Sequence, residues 1–250
     1  MCDHCGCGGP VHRHDHDHDH GHSHDHDKDH GHDHGKLIEV QQSILSQNDR
    51  FAEQNRGFFR ARGLFVANLL SSPGSGKTSL IERTLVDRGR HYGIAVVVGD
   101  LETENDANRI RAKGAPAVQI TTGTLCHLDA HMVQHALEDL DLGNAKILFL
   151  ENVGNLVCPA SFDLGEQARV VLVSVTEGED KPLKYAPIFA RADVVLINKI
   201  DLAEIVGFDR EAAITNIRKV APQARILEIS TKTGAGMDAW YAFLEQSIAR

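Results

Sequence analysis

The chain has 250 residues, a formal net charge of −9 at pH 7 and 24% charged residues, which suits a medium-sized domain and argues against a nucleic-acid partner. No apolar run approaches the roughly 18 residues of a membrane-spanning helix, and the N-terminus lacks the apolar region of a secretory signal, so we expect no membrane partner. The five cysteines do not suit a disulfide framework, which favours a cytoplasmic protein with thiolates available to bind metal.

Residues 1–36 are rich in potential metal ligands. Cys2, Cys5 and Cys7 lie together at the start, and 12 of the 16 histidines fall within residues 1–34. Imidazole and thiolate favour nickel, zinc and copper over magnesium or calcium. With almost no apolar residues and eight aspartates against three basic residues, this segment is predicted to be a disordered metal-binding tail. An affinity tag and a solvated tail with incidental metal affinity are the alternatives.

The rest of the chain is predicted to form an N-terminal helix over 37–62 and one α/β domain over 63–250. Short apolar segments alternate there with helical stretches, which is typical of a doubly wound fold with a mainly parallel sheet. The predicted strands are Leu64–Leu70, Ile94–Gly99, Ala117–Thr121, Ile147–Leu150, Val170–Val175, Val194–Ile197 and Ile226–Ile229. The predicted helices cover about 77–88, 105–113, 124–138, 209–220 and 238–248.

A phosphate-binding loop is predicted directly after the first strand. The sequence Ser71-Ser-Pro-Gly-Ser-Gly-Lys-Thr78 matches the P-loop pattern, except that Ser71 replaces the first glycine. Backbone N–H groups of such a loop and the following helix N-terminus bind phosphate oxygens. Lys77 is expected to reach the β- and γ-phosphates and Thr78 to ligate Mg²⁺. A glycine-rich turn without a ligand is the alternative. The predicted phosphate-binding residues are Gly74, Ser75, Gly76, Lys77, Thr78 and Ser79.

A second motif indicates which base the site recognises. Asn198-Lys-Ile-Asp201 follows a late apolar strand and resembles the base-specificity motif of P-loop GTPases. The Asp201 carboxylate would accept hydrogen bonds from the ring N–H and the exocyclic amine of guanine, whereas adenine does not donate both. Ser230-Thr-Lys232 follows the last strand, at the place of a loop that supports the base. The predicted guanine-binding residues are Asn198, Lys199, Asp201, Ser230, Thr231 and Lys232.

Carboxylates at two predicted strand ends are candidates for Mg²⁺. Asp100-Leu-Glu102 ends the second strand, Asp106 lies just beyond it, and Glu151 ends the fourth strand. A carboxylate in such a position holds Mg²⁺ directly or through water. For Glu102 and Asp106, a surface carboxylate that caps a helix is an equal alternative.

A transition-metal site is predicted inside the domain. Cys126-His127 are expected to begin a helix, with His131 four residues beyond His127 on the same face and His135 one turn further. Cys158 would add a thiolate from elsewhere in the fold. Two adjacent ligands, a third one turn away and a second thiolate would suit zinc or nickel. Small buried cysteines without a metal are the alternative.

Taken together, these motifs resemble the HypB family, the GTPases that incorporate nickel during [NiFe]-hydrogenase maturation. The resemblance extends over essentially the whole chain and is most specific at Glu151–Pro159. It implies a P-loop GTPase fold of the SIMIBI type, slow hydrolysis of GTP to GDP, and delivery of Ni²⁺ to the hydrogenase large-subunit precursor. It further implies a zinc-containing HypA-type partner and a homodimer that depends on nucleotide or metal.

The resemblance also assigns residues. It implies a tight nickel site at Cys2, Cys5 and Cys7, and a nickel or zinc site at Cys126, His127 and Cys158, with His131 as an additional ligand when metals pair. Lys181 and Lys184 match a loop that reaches nucleotide across the dimer. Lys77, Thr78 and Glu151 are the expected catalytic residues. Contacts with Mg²⁺ and nucleotide map to Lys77, Thr78, Asp106, Glu151 and Asp201.

Because Glu151 and Cys158 share one short segment, we expect nucleotide and metal binding to be coupled. Three other functions are alternatives for this sequence. The urease accessory GTPases differ in having a Cys-Pro-His metal motif, and the cobalamin-related zinc GTPases have a Cys-x-Cys-Cys motif that this chain lacks. A metal storage protein with a secondary GTPase domain would depend on the histidine-rich tail.

Overall fold

The computed structural model describes residues 32–249, with side-chain environments from residue 42 onwards. The chain divides after residue 47 into two units, and the packing discussed below is that of residues 48–249. Its strands are β1 (Phe65–Ser71), β2 (Ile94–Asp100), β3 (Ala117–Thr121), β4 (Ile147–Glu151), β5 (Ala168–Ser174), β6 (Val194–Asn198) and β7 (Arg225–Glu228). They form one sheet in the order β3-β2-β4-β1-β5-β6-β7, and all neighbouring pairs are parallel.

The strands form where the sequence has continuous apolar runs. Every residue of β1, β4, β5 and β6 is buried, because helices cover both faces of the sheet. All seven predicted strands are confirmed, with ends that differ from the predicted ones by at most two residues. The predicted fold class, a mainly parallel sheet flanked by helices, is therefore confirmed.

Nine α-helices and three short 3-10 segments connect or flank the strands within the described residues. The three single-turn α-helices and the two 3-10 segments that follow β5 and β6 were not predicted, because segments of three to five residues carry no periodic signal. The 3-10 segments cover Cys158–Ser161, Val175–Glu177 and Ile200–Leu202. The α-helices are α1 (His32–Ala61), α2 (Lys77–Tyr92), α3 (Asn105–Ala112), α4 (Ala130–Asp139), α5 (Lys181–Lys184), α6 (Ala186–Ala190), α7 (Ala203–Val206), α8 (Arg210–Val220) and α9 (Met237–Ile248).

The start of α4 differs from the prediction. The helix expected over 124–138 begins only at Ala130, so the expectation that Cys126 and His127 begin it is wrong. Asp129 is the N-cap: its backbone is extended, and its carboxylate accepts a hydrogen bond from the Met132 N–H at 2.8 Å. The two metal-ligand candidates therefore lie in the loop before the helix.

The helix α1 starts five residues before the stretch predicted to be helical, 37–62, and ends one residue before its end, at Ala61. The predicted division into a tail, a helix and a domain stays a prediction, and the cysteines and most histidines of the tail lie outside the described residues. Among the described helices, none combines the length and apolar character needed to cross a membrane.

The sheet order gathers the predicted motifs at one edge. Parallel strands all end on the same side, and ligands of open α/β sheets bind there. The P-loop follows β1, whose neighbours β4 and β5 end at Glu151 and Ser174. Asp100 ends β2, and Asn198 ends β6. The fold therefore places the nucleotide motifs along a single line of strand ends.

Candidate nucleotide and metal site

The P-loop backbone depends on two glycines. Gly74 and Gly76 have φ angles of 75° and 107°, which L-residues with side chains rarely adopt. A side chain at Gly76 would also collide with the amide of Asn198. That amide donates to the Ser75 carbonyl oxygen at 2.9 Å, so the loop is held close against the end of β6. The two glycines thus allow the tight turns of the P-loop.

The Lys77 ammonium is buried against the P-loop. It donates to the Ser71 hydroxyl at 3.0 Å, which gives a function to the serine that replaces the first glycine of the motif. Burial lowers the pKa of Lys77, although the carboxylates of Glu151 and Asp106 act in the opposite direction. A lysine held in this way is positioned for an anionic ligand that would replace the lost hydration.

Glu151 is buried at the end of β4, next to Thr78. The Thr78 hydroxyl donates to Glu151 Oε1 at 2.6 Å, while Oε2 is buried without a hydrogen-bond partner. Burial raises the pKa of Glu151 to about 7, even though the Lys77 charge and the Thr78 hydrogen bond lower it. An unsatisfied carboxylate oxygen beside a hydroxyl is an acceptor arrangement that suits a hard cation.

These groups line a cleft of about 400 Å³ at the strand ends. Ser79 and Asp106 also face this cleft, and Asp106 Oδ1 accepts a hydrogen bond from Arg109 at 2.9 Å. Glu102 is exposed and does not line it. A larger cleft of about 870 Å³ lies at the opposite edge, around Ile94. Because ligands of this fold bind at the carboxyl ends of the strands, we assign the nucleotide to the smaller cleft.

The predicted guanine-binding residues connect the last two strand ends to the P-loop. Asn198 Oδ1 accepts from the backbone N–H of Thr231 at 3.3 Å, and Lys199 Nζ donates to the Gly74 carbonyl at 2.8 Å. The Ser230 hydroxyl donates to Asp201 Oδ1 at 2.6 Å, which orients the carboxylate. Lys232 is exposed beside this group. The structure thus brings the predicted base-binding residues together.

Cys126, His127 and Cys158 form a compact group of ligand atoms that all lie within 4.8 Å of one another. The two sulfur atoms are 2.9 Å apart and are not joined in a disulfide. Cys126 and His127 lie in the loop after β3, and Cys158 begins the 3-10 segment after β4. Two thiolates and one imidazole suit zinc or nickel, as the sequence predicts.

His127 is held in a mostly apolar environment. Its ring lies 4.0 Å from the ring of Phe162 between centroids, and its Nδ1 atom is buried without a hydrogen-bond partner. Burial lowers the pKa of His127 and favours the neutral imidazole, which is the form that binds metal. His131 is not a member of the compact group; it contacts His135 instead, with 3.0 Å between their Nε2 atoms.

A buried asparagine joins the nucleotide and metal loops. Asn152 follows Glu151 directly, and its Oδ1 atom accepts from the backbone N–H of Leu128 at 3.0 Å, next to His127. Asn155 adds a second link, because its amide donates to the Cys126 carbonyl at 3.3 Å. The segment that follows β4 is thus bonded to the loop that carries two of the candidate metal ligands.

A buried ion pair holds the segment that follows Cys158. Arg169 Nε donates to Glu166 at 2.8 Å, and the side chains are only 10% and 3% exposed. The same guanidinium donates to the carbonyl oxygens of Ala160 (3.2 Å) and Phe162 (2.7 Å). Burial raises the pKa of Glu166, which the Arg169 charge opposes. Arg169 therefore positions the backbone beside one of the thiolates.

Sequence reasoning missed several of these positioning residues. Asn152 and Arg169 are polar residues next to or within apolar strands, and that contrast was a usable signal. Glu177 gave no such signal: its Oε1 atom accepts from the Ser75 hydroxyl at 2.6 Å and from the Ser174 backbone N–H at 2.9 Å. Lys181 lies 3.7 Å from the same carboxylate, which places α5 near the P-loop.

The buried carboxyl of Glu151 predicts a pH dependence of stability in protein free of nucleotide and Mg²⁺. Its pKa rises from an ordinary 4.5 to about 7 on folding, so the folded state holds this proton more tightly. The stabilisation is complete below pH 4.5 and is lost as the pH rises to 7, at a cost of about 3 kcal/mol. Urea unfolding of the wild type and Glu151→Gln at several pH values measures this difference. Parallel pH profiles for the two proteins would contradict the assignment.

Comparisons with known proteins now identify the family. A family described as the CobW/HypB/UreG nucleotide-binding domain matches residues 65–228, more than half of the chain. The hydrogenase maturation factor HypB of Azotobacter vinelandii is 54% identical over 211 residues, which cover 84% of this chain and 70% of the relative. HypB of Escherichia coli K12 is 52% identical over 210 residues, covering 84% and 72%. The chain belongs to the HypB family.

A solved HypB structure supports the same assignment. The crystal structure of HypB from Helicobacter pylori in complex with nickel superposes with a TM-score of 0.78 at 41% identity, covering 81% of this chain and 95% of that one. The resemblance predicted from the sequence is therefore confirmed. As a HypB-family member, the chain contains a P-loop nucleotide-binding domain, with the candidate cleft at the strand ends inside the matched residues.

Proposed function

We propose that this chain is a GTP-hydrolysing metallochaperone that binds Ni²⁺ and assists its insertion into the [NiFe]-hydrogenase large-subunit precursor. One observation supports this best. The segment from Glu151 to Cys158 begins at a carboxylate bonded to Thr78 of the P-loop and ends at a thiolate of the Cys/His group. In this proposal, the nucleotide site and the metal site share one continuous segment of the chain.

The buried oxygen atoms fit Mg²⁺ as a cofactor. The hydroxyl of Thr78 and the Oε2 atom of Glu151, which lacks a hydrogen-bond partner, would hold it, with Asp106 at the side of the cleft. When bound, Mg²⁺ would neutralise charge on the phosphate oxygens. Glu151 would be held ionised by the cation, because its raised pKa reflects burial without sufficient compensating charge.

The chain's own residues act in hydrolysis mainly by positioning. The P-loop N–H groups and Lys77 hold the phosphates, and Asp201, oriented by Ser230, selects guanine. Among the described residues, the side chains that line the cleft include no histidine, which is the commonest general base. We therefore propose slow GTP hydrolysis, which suits a switch.

Nucleotide would control the metal site through the shared loop. If Glu151 moves when GDP replaces GTP, Asn152 moves with it and pulls on the Leu128 backbone beside His127. Cys158 lies at the other end of the same segment. Thermodynamic linkage then requires nickel to change nucleotide affinity by the same factor that nucleotide changes nickel affinity, typically about 5–150-fold.

The N-terminal tail, a partner protein and a second copy of the chain also belong to the proposed function. The cysteines at 2, 5 and 7 would form a nickel site, and the histidine-rich run would store nickel as a part of the tail 1–36. We propose a cytoplasmic homodimer that works with a HypA-type zinc-containing protein, with Zn²⁺ as an alternative occupant of the Cys/His group. Lys181 and Lys184 would reach nucleotide across that dimer.

Nickel binding with different nucleotides tests the proposal. In the full chain with Cys2, Cys5 and Cys7 changed to Ser, the remaining thiolates are Cys126 and Cys158. Their nickel charge-transfer absorption then reports the domain site alone, whatever the histidines of the tail bind. We expect the half-saturation point to differ between GDP and a non-hydrolysable GTP analogue.

Two control variants show whether the absorption band comes from the Cys/His group. Cys158→Ser should remove the absorption band, while the exposed-lysine variant Lys146→Met should keep both the band and its nucleotide dependence. Identical titrations with GDP and the analogue would refute nucleotide-controlled nickel binding. The site would then be a constant metal site, and metal delivery would depend on the tail.

A further inference from the structure

Two buried asparagines of α1 contact both segments that carry the candidate metal ligands, although neither belongs to the nucleotide cleft or to the Cys/His group. Asn48 and Asn55 are only 5% and 1% exposed. They are seven residues apart, which is about two helical turns, so they lie on the same face of α1. Polar side chains buried to this extent normally form hydrogen bonds, and the partners of these two indicate their role.

Each asparagine bridges the same two segments. The Asn48 amide donates to the Asp163 carbonyl oxygen at 2.8 Å, and its Oδ1 atom accepts from the Ala130 N–H at 2.9 Å. The Asn55 amide donates to the carbonyl oxygens of Ala130 at 2.8 Å and Leu164 at 3.1 Å. These four hydrogen bonds through α1 therefore join the first residue of α4 to the turn that contains Asp163.

The two bridged segments carry metal ligands on either side of the Cys/His group. Ala130 lies three residues after His127, and the turn that contains Asp163 follows the 3-10 segment Cys158–Ser161. The ring of Phe162, just before that turn, lies 4.0 Å from the ring of His127 between centroids. The asparagines therefore fix the separation between the loop that carries one thiolate and the imidazole and the segment that carries the other thiolate.

The backbone of α1 lies in close contact with the same turn. Gly165 has a φ angle of 89°, and a side chain at this position would collide with the α1 backbone at Ala52 and Arg56. The Arg56 guanidinium also donates to the Asp163 carboxylate at 2.8 Å. Because the contact is this close, a shift of α1 would move the turn and would break the asparagine bridges to α4.

We propose that Asn48 and Asn55 are positioning residues of the metal site. They would not touch the ion; they would hold the two ligand-bearing segments at the separation that the ion requires. Removal of groups that orient metal ligands in this way typically lowers metal affinity by about 10–100-fold. It follows that any displacement of α1 would weaken metal binding. The inference rests on the proposed function, because it assumes that the Cys/His group binds nickel.

Replacing Asn55 with leucine tests the proposal in the full chain, with the three cysteines at positions 2, 5 and 7 changed to serine. A chelator buffer of nitrilotriacetate fixes the free Ni²⁺ concentration whatever the tail binds, and the nickel–thiolate absorption reports the Cys/His group. We expect the free Ni²⁺ concentration at half-saturation to rise by about 10-fold or more in Asn55→Leu. Asn48→Leu leaves the other bridge in place, should also weaken binding, and keeps the test possible if Asn55→Leu does not fold.

Thr84→Val is the matched control for a general loss of stability. Thr84 is fully buried on α2, and its hydroxyl accepts from Trp240 Nε1 at 3.0 Å, in the contact between α2 and α9. This variant should lower the free energy of unfolding in urea and leave the nickel affinity unchanged.

The outcomes distinguish the inference from the proposed function. Asparagine variants that unfold more readily but bind nickel as tightly as the parent chain would overturn the inference, and so would an equal loss of nickel affinity in Thr84→Val. In both cases, nickel binding by the parent chain would still support the proposed metal function. The absence of the nickel–thiolate band from the parent chain would overturn the proposed metal function and the inference together.

Discussion

Replacing Arg169 with alanine is expected to lower the free energy of unfolding by about 3–5 kcal/mol, because it leaves the buried Glu166 carboxylate without its positively charged partner. Glu166 is 3% exposed, and Arg169 also donates to the carbonyl oxygens of Ala160 and Phe162. The Phe162 carbonyl oxygen would lose this donor, and that of Ala160 would keep only the hydrogen bond from Arg191 at 3.1 Å. Urea unfolding of the nucleotide-free protein at pH 7 measures the loss.

A double substitution distinguishes the effect of the unpaired Glu166 charge from that of the lost Arg169 hydrogen bonds. In Arg169→Met with Glu166→Gln, neither buried charge remains, so we expect at least half of the lost stability to return. Both variants lack the hydrogen bonds that Arg169 donates to Ala160 and Phe162, so we expect both to bind nickel at Cys158 more weakly than the wild type. A double variant as unstable as Arg169→Ala would show that the guanidinium contacts, not the buried charge, dominate.

The sheet was predictable because its central strands are buried on both faces. Residues such as Val170 and Leu196 lie in continuous apolar runs. Turn residues on either side of each run show where the strand begins and ends in the sequence. The P-loop and the base motif were predictable because their chemistry requires particular residues at fixed spacing. The order of strands in the sheet, by contrast, depends on long-range packing and was not predicted.

The metal loops show why local patterns were insufficient. Histidines at 127, 131 and 135 have a helical spacing, which suggested a single helix face, but Asp129 accepts the Met132 N–H and starts the helix at Ala130. Aspartate is a preferred N-cap residue, so Asp129 could have been identified from the sequence as the start of the helix. The prediction gave more weight to the spacing of the histidines. The hydrogen bond between Asn152 and the Leu128 backbone joins residues that are 24 positions apart, and the spacing of residues within a helix or strand does not predict such a contact.

Replacing Lys77 with methionine is expected to reduce kcat/KM for GTP hydrolysis by about 10²–10³-fold, because it removes the charge that would stabilise the transferring phosphate. The length of the side chain is largely kept, so the P-loop backbone should be preserved. Phosphate release at low GTP concentration measures the effect. Lys146→Met removes an exposed lysine at another site and should leave the rate unchanged.

Lys77→Met should lower the activity without lowering the stability of the fold. Burial lowers the pKa of Lys77, which shows that the folded nucleotide-free protein holds this ammonium at a cost, so methionine should maintain or raise the free energy of unfolding. Loss of the Lys77 charge should also move the Glu151 titration above its value of about 7, since that charge lowers the Glu151 pKa. A variant that hydrolyses GTP normally would exclude Lys77 from the phosphate site. One that loses both activity and stability would indicate that the ammonium organises the P-loop before nucleotide binds.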